Sequence, residues 1–225
     1  MMTYLAKNQA IDCLGVVLAG GLSSRMGQDK AHLTRQKVAS ASSSLASNSA
    51  QNMLDFSKRL LLDAGIKNVV ISGDNHQIPD LVPKAGPVGG IYSVLAHYFA
   101  NSPEHLQPKA FLILPVDLPL MTASALAELR LKGELSHKAT FFSDNQKQMH
   151  HIPLYLPNNA FLQTFLTQAF QREKLLSNAS NRKKNGPSVR SMLEQVPHQS
   201  IVSKQKQILF NTNTPEQWQQ AKQQF

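Results

Sequence analysis

The sequence predicts an α/β domain in which helices flank a mainly parallel central sheet. Three observations carry this reading. Short, uniformly apolar runs stand at 13–18 (CLGVVL), 68–72 (NVVIS) and 110–114 (AFLIL), and each is followed closely by glycine or proline. Helical patterns lie between and after them, and no internal repeat or linker divides the 225 residues, of which 42% are hydrophobic. Runs this short and this apolar suit strands buried on both faces, as parallel strands are.

Taken in order, the first run leads through Leu18 into Ala19, Gly20 and Gly21, a strand entering a loop. Residues 53–64 place Leu54, Leu61 and Leu62 among polar neighbours and read as a helix, followed by the second strand ending at Ser72. A helix over 90–100 (GIYSVLAHYFA) follows a glycine-rich turn and leads to the third strand. Residues 158–173 read as a helix capped by Asn158 or Asn159, with Phe161, Phe165, Leu166 and Phe170 as its apolar face. A last helix begins at Pro215 behind a Thr214 cap. Strands alternating with helices imply right-handed crossovers and a ligand site beyond the carboxyl ends of the strands. The loops after Leu18, Ser72 and Leu114 should therefore meet.

Two segments look irregular. Residues 40–52 (SASSSLASNSAQN) are Ser-rich, within an expected surface insertion at about 36–52; a phosphate-binding serine cluster is the alternative. Residues 177–187 are polar and basic. The chain carries 23 Lys plus Arg against 14 Asp plus Glu, a formal charge of +9, and residues 172–206 hold eight of those cations against two glutamates. Such charge points to an anionic substrate or partner without choosing between phosphate and nucleic acid. Cys13 is the only cysteine, so no internal disulfide forms, and it reads as a small core residue in a reducing compartment. Polar residues interrupt the N-terminal stretch, and no run approaches the roughly 20 apolar residues of a membrane helix. The expected location is the cytoplasm, away from membranes.

The chemistry concentrates at 18–30, LAGGLSSRMGQDK. Gly20, Gly21 and Gly27 let backbone N–H groups face an anion, Ser23 and Ser24 add donors, and Arg25 and Lys30 put two cations on one short loop. The spacing matches neither the dinucleotide fingerprint nor the P-loop, and a plain strand-to-helix turn with solvated charges is the competing reading. Asp117, set between Val116 and Leu118 after the third strand, is a carboxylate costly to bury alone. It suits Mg²⁺, which takes one or two carboxylates plus substrate phosphates. A turn cap before Pro119 is the alternative.

LAGGLSSRMGQDKAHL closely resembles the opening motif of the molybdenum cofactor guanylyltransferases. PDLVPKAGPVGGI (79–91), LPVDLPLM (114–121), GPSVRSML (186–193) and NTNTPEQW (211–218) match that family in the same order, so the resemblance spans nearly the whole chain. It implies a Rossmann-like nucleotidyltransferase fold and transfer of GMP from GTP to molybdopterin, with Mg²⁺ as cofactor. It further implies nucleotide contacts at Leu18, Ala19, Gly20, Gly21, Lys30, Ser72, Asp80, Gly90 and Asp117, and catalytic roles for Arg25, Lys30 and Asp117. Asp117 would ligate the metal with Asn213 as a second oxygen, although Asn213 also suits a helix entry and Asp80 a turn before Pro83. Arg190 becomes the candidate for binding molybdopterin, ahead of Arg182, Lys183 and Lys184. Cofactor-delivery proteins or acceptor molybdoenzymes are possible protein partners.

Departures from the family bear on base selectivity. Ser72 stands where the family carries a nucleotide-contacting asparagine, so that contact is lost or passes to Asn75, and the Ser-rich stretch replaces a short turn. His150 and His151 fall near a stretch facing the acceptor; as neighbours on a strand they cannot share a face, and solvated strand-end histidines are the simpler reading. The rivals are a cytidylyl- or other nucleotidyltransferase on another phosphorylated acceptor and, in a different class, a basic nucleic-acid-binding module. Aromatic residues are only 7% and none interleaves the basic segment, which disfavours the module.

Overall fold

The computed structural model describes residues 10–20, 31, 33–35, 51–176 and 186–224, the side chains of 172–176 excepted. Its centre is a six-stranded sheet. β1 (Leu14–Leu18) lies between β4 (Asn68–Ser72) and β5 (Ala110–Pro115), parallel to both. Beyond β5 come β7 (Met149–Pro157), antiparallel to its neighbours, then β6 (Ala139–Ser143) and β8 (His198–Val202), giving the order β4-β1-β5-β7-β6-β8. All five residues of β1 are buried, because its Leu and Val side chains feed cores on both faces.

The two cores divide the helices. α2 (Gly86–Asn101), α4 (Ala160–Leu176) and the short α5 (Val189–Leu193) cover the face built from Leu14, Val16, Phe111, Ile113 and Phe141. α1 (Met53–Asp63), α3 (Ala123–Ser136) and α6 (Pro215–Lys222) cover the face of Val17, Leu112, Leu114, Phe142 and Tyr155. Alternate residues of β1 and β5 thus enter opposite cores, as a pleated strand requires.

Several expected boundaries need correction. The first strand starts at Leu14, with Cys13 half-buried just ahead of it. In α1 the buried residues are Met53, Phe56, Ser57, Leu60 and Leu61, whereas Leu62 is turned outward. α2 starts at Gly86, because Pro87 suits a first turn, so the expected glycine turn is itself helical. Asn159, not Asn158, caps α4 by accepting from the Leu162 amide, and Asn158 instead receives the Gln163 side chain. That register buries Leu162 and leaves Phe161 exposed, while Phe165, Leu166 and Phe170 pack as expected. At the end of the expected insertion, β3 (Gln51–Asn52) pairs antiparallel with β2 (Thr34–Arg35), and Asn52 caps α1. Residues 36–50 lie outside the described part.

α3 illustrates packing under constraint. A Cβ at Gly133 would overlap the Tyr155 ring, so the helix closes on β7 only because that side chain is absent. Gly133→Ala should destabilise the fold despite alanine's helix preference of up to about 1 kcal/mol, since overpacking a core costs about 1–3 kcal/mol. Urea unfolding should show a lowered midpoint with an unchanged slope.

Candidate functional site

At the carboxyl edge of the sheet, Leu18 of β1 stands level with Ser72 of β4 on one side and Pro115 of β5 on the other. The chain leaves β1 for β4 and then crosses to β5, so this edge is the topological switch point at which such sheets bind ligands. The loops after β1 and β4 meet there through backbone. Ala19 and Gly20 N–H groups donate to the Ser72 carbonyl at 2.9 and 3.2 Å. Gly73, at φ +151°, lies so close that a Cβ there would stand 2.8 Å from the Gly20 nitrogen. A side chain would force the two loops apart.

Asp80 sits in the same corner. A Cβ on Gly20 would lie 3.1 Å from one Asp80 carboxylate oxygen, and one on Gly90 would lie 3.9 Å from the other and 2.9 Å from Leu18. Partial burial pushes the Asp80 carboxyl above the usual carboxylate range, and nearby Asp74 adds to that, while a hydrogen bond from Ser72 opposes it. Gly90 itself is buried inside α2 rather than presented in a loop. Ser72 is 1% exposed and its hydroxyl donates to the Gly90 carbonyl at 3.4 Å, whereas Asn75 is exposed on the turn after β4.

Across the switch point, Asp117 is half-buried just past β5. Its carbonyl accepts from both the amide and the hydroxyl of buried Thr212, at 2.9 and 3.2 Å. Nothing in the sequence singles out Thr212, because a brace through a carbonyl leaves no residue-type signature. The next residues form the entry to α6: Thr214 and Gln217 make a reciprocal capping box, and Gln217 also receives the Asn213 amide at 2.7 Å. Asn213 is thus a helix-entry residue carried beside the Asp117 turn. Among the described residues no group of three His, Cys, Asp or Glu is arranged to hold a metal. One carboxylate with a neighbouring amide, both hard oxygen donors, fits Mg²⁺ completed by substrate phosphates rather than a self-sufficient metal site.

The antiparallel course of β7 brings its first residues to this edge, since Met149 pairs with Ser143 at the end of β6. The register then slips, so that Phe142 faces His150 and Phe141 faces Leu154. His151 lies in the intervening bulge, half-buried, its ring edge-on to Phe141 at 5.1 Å. The pair is therefore less solvated than expected. α5 lies on the same face, and Gly186 ahead of it packs so tightly on Ala85 that a Cβ would stand 2.5 Å from the Ala85 carbonyl oxygen. Arg190 on α5 is exposed and pairs with Glu194 at 3.1 Å. Gly21, Ser23, Ser24, Arg25, Gly27 and Lys30, with Arg182, Lys183 and Lys184, fall outside the described residues.

Fold and site together are those of a nucleotidyltransferase. The chain belongs to the MobA-like NTP transferase domain family, which matches residues 15–199. It is 31% identical over 209 residues to a molybdenum cofactor guanylyltransferase of Xanthomonas euvesicatoria pv. vesicatoria, covering 91% of each chain. A probable molybdenum cofactor guanylyltransferase of Flavobacterium johnsoniae is 25% identical over 197 residues, 88% of each. In structure the chain resembles molybdopterin-guanine dinucleotide biosynthesis protein A of Archaeoglobus fulgidus, with a TM-score of 0.63 over 93% of this chain and 97% of that one. At 16% identity that likeness speaks for the fold alone. No helix among the described residues is long and apolar enough to cross a membrane.

His151 supplies a pH test. Burial chiefly, then Arg190, His198 and His150, hold it below the ordinary value of 6.5. The unfolded chain therefore protonates first, and His151 removes stability as pH falls below about 6.5. Between about pH 7 and about pH 5.5, His151→Gln should lose less urea stability than the parent protein.

Proposed function

We propose that the chain transfers GMP from GTP to molybdopterin, releasing pyrophosphate and forming the guanine dinucleotide cofactor. The observation that carries this reading is the convergence of Gly20, Ser72 and Asp80 on one side of the switch point with Asp117 on the other, in a chain whose relatives bear the guanylyltransferase name. A triphosphate lying along this edge would meet the backbone of 18–20 and Asp80 toward its nucleoside, and the resemblance assigns its phosphates to Arg25 and Lys30.

In the reaction a terminal phosphate oxygen of molybdopterin attacks the α-phosphorus of GTP in line. The bond to the bridging oxygen breaks, and pyrophosphate departs with the electron pair. The attacking phosphate is already anionic, so no general base is needed, and rate derives from positioning and charge neutralisation. Arg25 and Lys30 offset charge gathering on pyrophosphate. Asp117, with Asn213 beside it, would hold Mg²⁺, which supplies positive charge to the phosphate oxygens. Thr212, bonded twice to the Asp117 carbonyl, fixes the turn that carries the carboxylate. Arg190, on the segment packed against the start of α2, binds the acceptor's phosphate. A single cysteine that can form no internal disulfide suits a reducing compartment, and we assign the reaction to the cytoplasm.

Pyrophosphate release with molybdopterin and Mg²⁺ should be fastest with GTP in a panel of the four triphosphates; a preference for CTP would favour the cytidylyl alternative. Asp117→Ala should slow turnover by about a hundredfold or more, as loss of several kcal/mol of metal stabilisation requires, with an unchanged circular dichroism spectrum. Lys30→Ala should weaken GTP by about ten- to a hundredfold while sparing GMP. Equal losses for both nucleotides, read by calorimetry, would make Lys30 structural.

A further inference from the structure

Ser93 carries a fully buried hydroxyl on α2 that the proposed reaction leaves unused. The hydroxyl donates to the Gly89 carbonyl, one turn back, at 2.8 Å and accepts the Leu81 amide at 2.9 Å. A hydroxyl has a single proton and two lone pairs, so committing the proton to the helix turns a lone pair toward Leu81. With its proton committed and no surface open to a ligand, Ser93 is neither a nucleophile nor a nucleotide contact.

What this bond holds is the peptide that follows Asp80. Upstream, Ile78 is tied to β4 and its turn by backbone alone: its amide donates to the Ile71 carbonyl at 3.1 Å, and its carbonyl accepts the Gly73 amide at 3.0 Å. Downstream, the Leu81 amide reaches Ser93. Only Pro79 and Asp80 lie between these anchors, and the proline ring fixes one of their backbone torsions. The same turn of α2 sets the remaining distances. A Cβ at Gly89 would overlap Ala85, and one at Gly90 would stand 3.9 Å from an Asp80 carboxylate oxygen, so both ends of the stretch from Asp80 to Ala85 lie against the helix. Of the bonds at Ile78 and Leu81, the one to Ser93 is made by a side chain and can be removed by substitution.

We propose that Ser93 is a positioning residue, setting the Asp80 carboxylate at the nucleotide corner by clamping the Asp80–Leu81 peptide to α2. The inference rests on Asp80 being a nucleotide contact, as under the proposed function. Leu81 is 58% exposed, so its own side chain contributes little packing to hold the peptide once the hydroxyl is gone. Ser93→Ala keeps a good helix former in α2 but takes the acceptor from the Leu81 amide. Asp80 then populates its binding orientation only part of the time, and apparent affinity falls by that fraction.

The clamp and its consequence are measured separately. In nucleotide-free protein, hydrogen exchange at the Leu81 amide, followed by NMR, should be faster in Ser93→Ala than in the parent, and unchanged exchange overturns the proposal. In calorimetry with GTP and Mg²⁺, Ser93→Ala should weaken binding by about three- to tenfold, the size of one hydrogen bond's net contribution. Unchanged GTP affinity in that variant, where Asp80→Ala does weaken binding, would overturn the clamp and leave Asp80 a contact. In an Asp80→Ala background, Ser93→Ala should cost no further affinity, since the group it positions is gone. Losses that add in the double variant would mean that Ser93 acts on the fold at large, overturning the positioning role. If Asp80→Ala alone leaves GTP affinity unchanged, the nucleotide role of Asp80 fails and this proposal fails with it. Should Ser93→Ala melt early, Ser93→Cys, of similar size but with a weakly accepting thiol, must show the same loss of GTP affinity, and full binding there is again decisive against it.

Discussion

The backbone of Gly20 lies directly on that of Gly73, and the site depends on this contact. With no side chain between them, the ends of β1 and β4 come close enough for one carbonyl, that of Ser72, to receive two successive amides from the opposite loop. Those amides are fixed before any ligand arrives. Asp80 then enters the remaining gap, and Gly90 of α2 closes it from below. Moving any of the three glycines to alanine would push on backbone, on Leu18 or on the Asp80 carboxylate, so helix, loop and strand are set by one steric condition.

The second half of the edge is held differently, by hydrogen bonds at a distance in sequence. Thr212 reaches back to the Asp117 carbonyl, and the capping box of Thr214 and Gln217 fixes the residues just after it. A helix entry near the C-terminus thereby becomes a brace for a turn in the middle of the chain. It also explains why NTNTPEQW resembles a family motif while only one of its residues was open to reading as a ligand. The first threonine braces, the second caps, and proline fixes the start of the helix.

The fold was legible where burial is complete and uniform. β1, β4 and β5 announced themselves because strands apolar on both faces leave no polar alternation to confuse the reading. α3 did not: it buries Leu126 and Leu129 yet turns Leu131 and Leu135 outward, so its apolar residues trace no single stripe. β7 hid behind two histidines, a proline and a bulge, and β8 is an edge strand whose burial alternates along HQSIV. At the site, the resemblance pointed to Asp80 and Asp117, and the structure sets both at the expected edge. Ser72 ends β4 with its side chain buried, a direction that a serine does not disclose in sequence. Thr212 went unread for a related reason, since its partner is a carbonyl that every residue possesses.

Two substrates must be held in one frame for an in-line displacement, and the chain supplies that frame through Gly186. Its contact with Ala85 docks the segment of α5 onto the residue that precedes α2, the helix whose second turn carries Gly90. On the proposed reaction, the acceptor-side residues and the floor of the nucleotide corner are then parts of one packed body, not two lobes that must close on each other. The exposed pair of Arg190 with Glu194 stabilises little, because water screens it and both side chains lose freedom in forming it. If Arg190 binds the acceptor as proposed, it would exchange that carboxylate for a substrate phosphate at small cost, while the backbone beneath it stays in register with α2. In the proposed reaction, orientation would come from the glycine contact and charge from the Arg190 guanidinium.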